Sequence, residues 1–193
     1  MSANGAHPGP DPESSRKNVH EAPLIETERL RLRPFRPGDL DALATMWADP
    51  DVVRYIGGNR LGREDTWRRS LAACGQWPYT GFGYWIAELK ETAELAGQLG
   101  FADFKRDMEP SIEGEPELGY VFSPSVHGKG IAYEACSAAL EWADANLDAV
   151  SYPAIISPEN AASIRLAERL GFERAPDATY RGETIALFRR PGP

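Results

Sequence analysis

The chain has 193 residues, of which 42% are apolar, and this is enough for one ordinary domain with a single core. Its 29 acidic and 21 basic residues give a net charge of −8, the wrong sign for a protein that finds nucleic acid through its phosphates. The apolar runs are far shorter than the ~20 residues that cross a bilayer, and the N-terminus lacks the pattern of a signal peptide. We therefore expect a cytoplasmic protein whose partners are neither nucleic acids nor membranes.

The first part of the chain combines a polar tail with alternating and helical patterns. Residues 1–23 are rich in Gly, Pro and Ser, which predicts a disordered tail before a domain over residues 24–190. The alternation of apolar and basic residues over 29–33 predicts a strand with one buried face. Asp39 is predicted to cap the helix that follows, and a second helix is predicted over 64–74.

Strands and helices are predicted more densely after residue 80. Two β-like runs, 84–89 and 98–104, predict an antiparallel hairpin, and the acidic segment 107–116 is predicted to be a surface loop. The elements that follow alternate in type: a strand over 118–122, a helix from 130 to 147, a strand over 152–157 and a helix over 160–170. This βαβα order favours a parallel pair of strands with a right-handed crossover.

A glycine loop separates the strand at 118–122 from the helix that follows. With Gly128 and Gly130 in the loop, backbone N–H groups are able to close around a phosphate at the positive end of the helix. The alternative is that both glycines only permit a tight turn. No acidic residue follows at the distance that a dinucleotide-binding fingerprint requires, and the Lys-Ser or Lys-Thr pair of a nucleotide-binding P-loop is absent.

Four segments around and beyond this loop share their order and spacing with a known family. They are Glu117-Leu118-Gly119-Tyr120-Val121-Phe122, Gly128-Lys129-Gly130-Ile131-Ala132-Tyr133-Glu134-Ala135, Pro158-Glu159-Asn160-Ala161-Ala162-Ser163 and Glu168-Arg169-Leu170-Gly171-Phe172. Together they resemble the RimJ/RimL-like branch of the GNAT N-acetyltransferases, and residues 28–33 resemble the first strand of that family. The similarity covers roughly residues 24–190.

The resemblance implies an α/β fold whose mixed, mostly antiparallel sheet is flanked by helices. Its parallel fourth and fifth strands splay apart, and acetyl-CoA, the acetyl donor, lies in the gap without a metal ion. The residues it assigns to acetyl-CoA are Tyr120, Val121, Phe122 and Asn160 beside the pantetheine arm, Gly128, Lys129, Gly130, Ile131, Ala132 and Tyr133 around the pyrophosphate, and Ser163 near the sulfur. One departure is His127, which stands where the superfamily commonly has Gln or Arg.

Catalysis requires a base for the amine proton and, secondarily, an acid for the leaving thiolate. By resemblance, Glu117 takes the amine proton, often through water. The alternative is that Glu117 is an ordinary exposed glutamate at the end of a strand and that Glu113 or Glu115 acts as the base. Ser163 is expected to protonate the thiolate, the alternative being a solvated hydroxyl in the first helical turn. Many GNAT enzymes use a tyrosine of this helix as the acid, but Ala167 occupies that position here.

The function that the resemblance implies is acetyl-CoA-dependent transfer of an acetyl group, by direct attack, to a primary amine, foremost the α-amine of a protein or peptide. One alternative is a small amine such as an aminoglycoside or polyamine, which the acidic residues over 103–117 favour; another is a non-catalytic acetyl-CoA sensor. Tyr55 and Trp77 are expected to line the acceptor cleft. Cys74 and Cys136 lack the spacing of zinc ligands, so no metal is expected. Dimers occur in the family, which allows a homodimer.

Overall fold

Ten strands and six helices follow one another over residues 21–193, the part of the chain that the computed structural model describes. The strands are β1 (Ile25–Glu26), β2 (Leu30–Arg33), β3 (Tyr84–Leu89), β4 (Leu95–Ala102), β5 (Met108–Glu109), β6 (Glu117–Phe122), β7 (Ser151–Ile156), β8 (Glu173–Arg174), β9 (Ala178–Tyr180) and β10 (Glu183–Pro191). The helices are α1 (Leu40–Trp47), α2 (Pro50–Val53), α3 (Arg63–Cys74), α4 (Trp77–Thr80), α5 (Ile131–Asn146) and α6 (Ala161–Arg169). In this part of the chain, none of the helices has the length and apolar character of a membrane span.

The strands form two sheets that meet at β6 and β7. One sheet has the order β1-β2-β3-β4-β6, and the other has the order β5-β9-β10-β7, with β8 paired to β10. Every ladder within residues 21–193 is antiparallel, which confirms the predicted mixed fold with mostly antiparallel strands. β6 and β7, the predicted parallel pair, are neighbours, but no ladder joins them in the described chain. The edge of β6 that faces β7 therefore keeps its backbone hydrogen-bonding groups available.

The main core lies between the sheets and α5. Ala135, Ala139 and Ala143 are fully buried along one side of α5, and their small side chains let the helix approach the strands closely. Beside them, Trp77 packs edge-on against Trp85 and Trp142, with ring centroids 4.7 and 5.3 Å away. Trp77 is only 2% exposed, so its expected place in the acceptor cleft is wrong: the large apolar indole is buried in the core instead.

Asp39 does not cap α1 with its side chain as predicted. It precedes the helix, but no side-chain capping bond forms. Its carboxylate instead accepts hydrogen bonds from both terminal nitrogens of Arg33, at 2.9 and 2.7 Å, and from the backbone N–H of Arg36 at 2.7 Å. The buried Arg33 also binds Glu88 at 2.7 Å. A charged side chain that is buried at this position requires such partners, and this requirement outweighs the local capping preference.

Three segments of the domain differ in detail from the sequence-based expectations: its N-terminal end, the acidic segment 107–116 and the part after residue 172. Ala22 is buried and the carbonyl of Pro23 accepts a hydrogen bond from Trp85 at 2.8 Å, so packing extends at least to Ala22 within the segment predicted as a tail. The remainder of that predicted tail, 1–20, lies outside the described residues. The predicted surface loop contains the short β5, which pairs with β9. The strands after residue 172 were not predicted.

Candidate active site

The loop between β6 and α5 presents a group of unpaired backbone donors. Gly128 and Gly130 have φ angles of 73° and 76°, a left-handed conformation that strains residues with a Cβ atom. In the described chain, the N–H groups of both glycines and of residues 131–133 donate to no protein oxygen. They lie at the N-terminal end of the 16-residue α5, where the helix dipole is positive. This arrangement fits an anionic group such as a pyrophosphate.

An ion-pair network fixes this loop to the N-terminal strands. Glu134, in the first turn of α5, accepts hydrogen bonds from Arg29 Nε at 2.6 Å, from the Arg29 backbone N–H at 2.8 Å and from Thr27 Oγ1 at 2.5 Å. Arg29 Nη1 also donates to the carbonyl of Lys129 at 2.8 Å. Burial raises the pKa of Glu134, but the bonds from Thr27 and Arg29 outweigh this effect and bring the pKa below its ordinary value. The carboxylate is thus held in its charged form.

We expect Glu134→Gln to weaken acetyl-CoA binding about 5- to 20-fold, because the uncharged amide loses the charge-assisted bond that orients Arg29 and the loop. Isothermal titration calorimetry measures the dissociation constant directly. Glu141→Gln is the matched control, since Glu141 is an exposed glutamate of the same helix. An unchanged affinity in the Glu134 variant contradicts a role for this network in cofactor binding.

His127 occupies the first position of the glycine loop. Its Nε2 lies 3.1 Å from the carbonyl of Phe122, so the side chain connects the loop to the end of β6. The residue that replaces the family's usual Gln or Arg therefore bonds within the protein. The side chains of the other assigned residues lie in different environments: Ile131, Val121 and Phe122 are buried in the core, and the half-exposed ring of Tyr133 lies under the guanidinium of Arg169 at 4.5 Å.

The far end of β6 carries Glu117, whose side chain is buried. Glu117 is 4% exposed and forms a two-bond ion pair with Arg106, at 2.5 Å from Nε and 2.8 Å from Nη2. Arg106 Nη1 also donates to the hydroxyl of Tyr180 at 3.1 Å. Burial raises the pKa of Glu117, and the ion pair with Arg106 offsets part of that increase. The structure therefore contradicts the alternative that Glu117 is an ordinary exposed glutamate at the end of a strand.

The other two glutamates that were considered as bases have different surroundings. Glu115 binds Arg189, with a distance of 2.9 Å between Nη2 and Oε1, and accepts a hydrogen bond from Ser151 at 2.7 Å, which connects it to β7 and β10. Glu113 is exposed to solvent and pairs with Lys105 at 3.3 Å. Among the three, Glu117 is the buried carboxylate, and its partner Arg106 lines an open cleft.

This cleft has a volume of about 580 Å³ and lies between the segment after β4 and the β9–β10 hairpin. It is lined by Phe104, Lys105, Arg106, Asp107, Met108, Glu109, Thr179, Tyr180, Arg181 and Gly182. The ring of Tyr180 contacts two guanidinium groups, those of Arg106 and Arg181, each 5.1 Å from its centroid. Tyr55, the other aromatic residue expected at the acceptor cleft, is half-buried beside Arg54 and does not line this one.

A second hydrogen-bonded group joins β6 to the start of α6. Asn160 Oδ1 accepts from the backbone N–H of Ser163 at 3.1 Å, so Asn160 is the N-cap of α6. Ser163 Oγ lies 2.7 Å from the hydroxyl of Tyr120, and that hydroxyl is also 3.1 Å from the Ser163 carbonyl. The structure thus brings together three residues assigned to acetyl-CoA. Ala167, one turn further along, is buried.

Sequence reasoning missed Arg106 and Tyr180 as residues of the site. The hydrogen bonds to Arg106 connect residues 11 and 74 positions apart in the chain. No local pattern marks either residue, because their meeting depends on how β9 lies against β5. Within residues 21–193, no group of His, Cys, Asp and Glu side chains has the arrangement of a metal site.

Comparisons with known proteins agree with this geometry. The family model described as "Acetyltransferase (GNAT) domain" matches residues 29–173. Uncharacterized protein YkkB of Bacillus subtilis is 32% identical over 169 residues, which cover 86% of this chain and 94% of that protein. Uncharacterized N-acetyltransferase p20 of Bacillus licheniformis is 30% identical over 151 residues, which cover 78% of this chain and 82% of that protein. A putative GNAT-family acetyltransferase from Bordetella pertussis has a TM-score of 0.77 at 28% identity, over 88% of this chain and 99% of that one.

Solved structures below 25% identity share the fold and differ in what they act on. RimL, a ribosomal L7/L12 α-N-protein acetyltransferase in complex with coenzyme A, has a TM-score of 0.70 at 16% identity, over 88% of this chain and 98% of that one. AAC(6')-Ib, in complex with paromomycin and acetyl-CoA, has a TM-score of 0.71 at 21% identity, over 85% of this chain and 94% of that one. The fold is therefore common to proteins whose acceptors are chemically different.

Proposed function

Since the chain belongs to the GNAT acetyltransferases and is an acetyl-CoA-dependent N-acetyltransferase, we propose that its acceptor is the α-amine of a protein or peptide. This is the activity of the RimJ/RimL-like branch, in which the amine attacks the thioester directly. A cytoplasmic enzyme has access to both acetyl-CoA and protein N-termini. The charges of residues 103–117 and of the cleft at Arg106 support this acceptor more than the overall fold does.

The acidic residues over 103–117 are the feature that favoured a polycationic acceptor such as an aminoglycoside or polyamine. Four of them are bound to basic side chains: Asp103 and Glu113 to Lys105, Glu115 to Arg189, and Glu117 to Arg106. The cleft itself carries Arg106 and Arg181 beside Asp107 and Glu109. A polycation gains most from several unpaired carboxylates, whereas four of the six carboxylates in this cluster are paired with three basic side chains, which neutralise half of its charge. This neutralisation is the observation that carries the proposal.

The residues present fit acetyl-CoA. The unpaired N–H groups of the glycine loop are suited to hold its pyrophosphate, and the free edge of β6 is suited to pair with the amides of its pantetheine arm. Bound acetyl-CoA supplies the activated acetyl group. A neutral amine is the attacking species, so Glu117 is proposed to take its proton, through a water molecule where the distance requires one. Arg106 and Tyr180 fix the orientation of that carboxylate.

Release of the CoA thiol tests the proposed function. The purified protein is incubated with acetyl-CoA and, in separate reactions, with N-terminal peptides, polyamines and aminoglycosides. We expect release with peptides, at a rate well above that of the same peptides with blocked N-termini. Release with only the polyamines or aminoglycosides contradicts the proposed acceptor, and tight cofactor binding without release for any acceptor favours the non-catalytic sensor.

A further inference from the structure

Tyr120 and Ser163 form a hydroxyl pair at the place where the two sheets separate. Tyr120 belongs to β6, which has no ladder with β7, and its side chain reaches the first turn of α6. The two hydroxyl oxygens are 2.7 Å apart, a distance typical of an O–H···O hydrogen bond. This contact crosses 43 positions of sequence. It places a phenol beside the serine in a helix whose own usual acid position is occupied by Ala167.

The pair has two arrangements, because Tyr120 has one hydrogen and two acceptors within reach. When that hydrogen points to the Ser163 carbonyl, at 3.1 Å, Ser163 Oγ donates to the phenol oxygen. When it points to Ser163 Oγ, the serine hydroxyl is free to donate its own hydrogen bond to a third atom. Burial raises the pKa of Tyr120, so the phenol keeps its hydrogen at neutral pH and both arrangements are available.

We propose that Tyr120 is a positioning residue that supplies Ser163 with the proton it gives to the sulfur of the departing coenzyme A. The inference rests on the proposed acetyl transfer, and on Ser163 lying near the sulfur. As the bond between the acetyl carbon and sulfur breaks, the sulfur keeps the electron pair and takes the Ser163 hydrogen. Ser163 Oγ takes the hydrogen of Tyr120, and the phenolate regains a proton from solvent. The amine loses one proton in the same reaction, so protons balance overall.

The phenol matters because an alkyl hydroxyl alone is a poor acid. Loss of the serine proton without replacement leaves an alkoxide, whereas replacement leaves the charge on a phenol oxygen, which is a weaker base than an alkoxide even though burial raises the pKa of Tyr120. A purely structural role is the competing explanation: the bond then only holds α6 against β6. The two explanations differ in what happens to a thiol that is bound at the site.

The test is the pKa of the thiol of bound coenzyme A, which is followed by the ultraviolet absorbance of the thiolate during a pH titration. Hydroxyl donors that face the sulfur stabilise the thiolate and lower this pKa. We expect both Ser163→Ala and Tyr120→Phe to raise it by about one pH unit, as for the loss of one charge-assisted hydrogen bond. Tyr79→Phe, which changes a tyrosine that is 86% exposed, is the matched control. An unchanged thiol pKa in Tyr120→Phe overturns the proposal.

Turnover gives a second measurement. We expect each single variant to lower kcat about 10-fold with little change in the KM for acetyl-CoA, and the double variant to be no slower than either single one, since both act on one proton path. A rise in the KM for acetyl-CoA with an unchanged kcat shows that the hydrogen bond only holds α6 against β6, and this result overturns the proposal. A shifted thiol pKa in a protein that acetylates no acceptor refutes the proposed function while the pairing of Tyr120 and Ser163 with the sulfur stands.

Discussion

Gly130→Glu is expected to abolish measurable acetyl-CoA binding, with a loss of at least 100-fold, or about 2.7 kcal/mol. The new side chain projects from a residue with φ of 76°, and a Cβ atom there lies 3.5 Å from Arg29 Nη2. The side chain starts beside the N–H groups that are proposed to hold the pyrophosphate, so we expect its carboxylate to occupy part of that space and to repel the phosphates. Calorimetric titration with acetyl-CoA measures the loss.

Gly130→Ala separates the two causes of this effect. Alanine adds the strain of a left-handed φ, about 1–2 kcal/mol, without adding charge. We expect it to lower the melting temperature by a few degrees and to weaken binding much less than the glutamate does. Equal affinity of the wild-type protein and the Gly130→Glu variant refutes the assignment of the loop.

Glu117→Gln is expected to lower kcat at neutral pH by 100-fold or more, the range of general base catalysis, with little change in acetyl-CoA affinity. The base works only when ionised, so the rate of the wild-type enzyme rises as pH increases through the pKa of Glu117. Because burial raises that pKa, the rising limb lies above the ordinary range of a glutamate. The glutamine variant loses this limb. A pH–rate profile of kcat/KM for both proteins measures whether the rising limb is present.

Three variants control the interpretation of this result. Glu113→Gln and Glu115→Gln change the neighbouring carboxylates, and we expect them to keep the rising limb. Arg106→Gln removes the group that lowers the pKa of Glu117, so the limb moves to higher pH. Since breaking a buried ion pair costs about 3–5 kcal/mol, the melting temperature of each variant must be measured alongside. Full activity of Glu117→Gln in a folded protein removes Glu117 from the mechanism.

The parts of the fold that sequence reasoning predicted are those that a local pattern determines. The strand before the glycine loop, the long helix after it and the helix over 160–170 each depend on residues that are close in the chain. The same holds for the β3–β4 hairpin, whose strands are nearest neighbours in sequence. The resemblance added the separation of the two central strands, which local periodicity does not encode.

The parts that were missed depend on distant residues. Asp39 has the chemistry of a helix cap, but a buried arginine from the preceding strand takes its carboxylate. Trp77 was expected to line the acceptor cleft, yet it packs against two other tryptophans. Arg106 lies in a loop without periodicity, and only the fold brings Glu117 and Tyr180 to it. Tertiary contacts of this kind override local preferences and leave no signal in a single sequence.

The missing ladder between β6 and β7 also bears on how the domain holds together. In a continuous sheet, the hydrogen bonds of neighbouring strands make the halves unfold as one cooperative unit. Here side-chain packing and side-chain hydrogen bonds, such as those from Ser151 and Arg189 to Glu115, join the two halves of the described chain along that line without a backbone ladder. A pantetheine arm paired with β6 would add a strand at this gap, so we expect bound acetyl-CoA to hold the two halves together more firmly. We therefore expect bound acetyl-CoA to raise the stability of the domain and to slow its proteolysis, which limited proteolysis with and without acetyl-CoA measures.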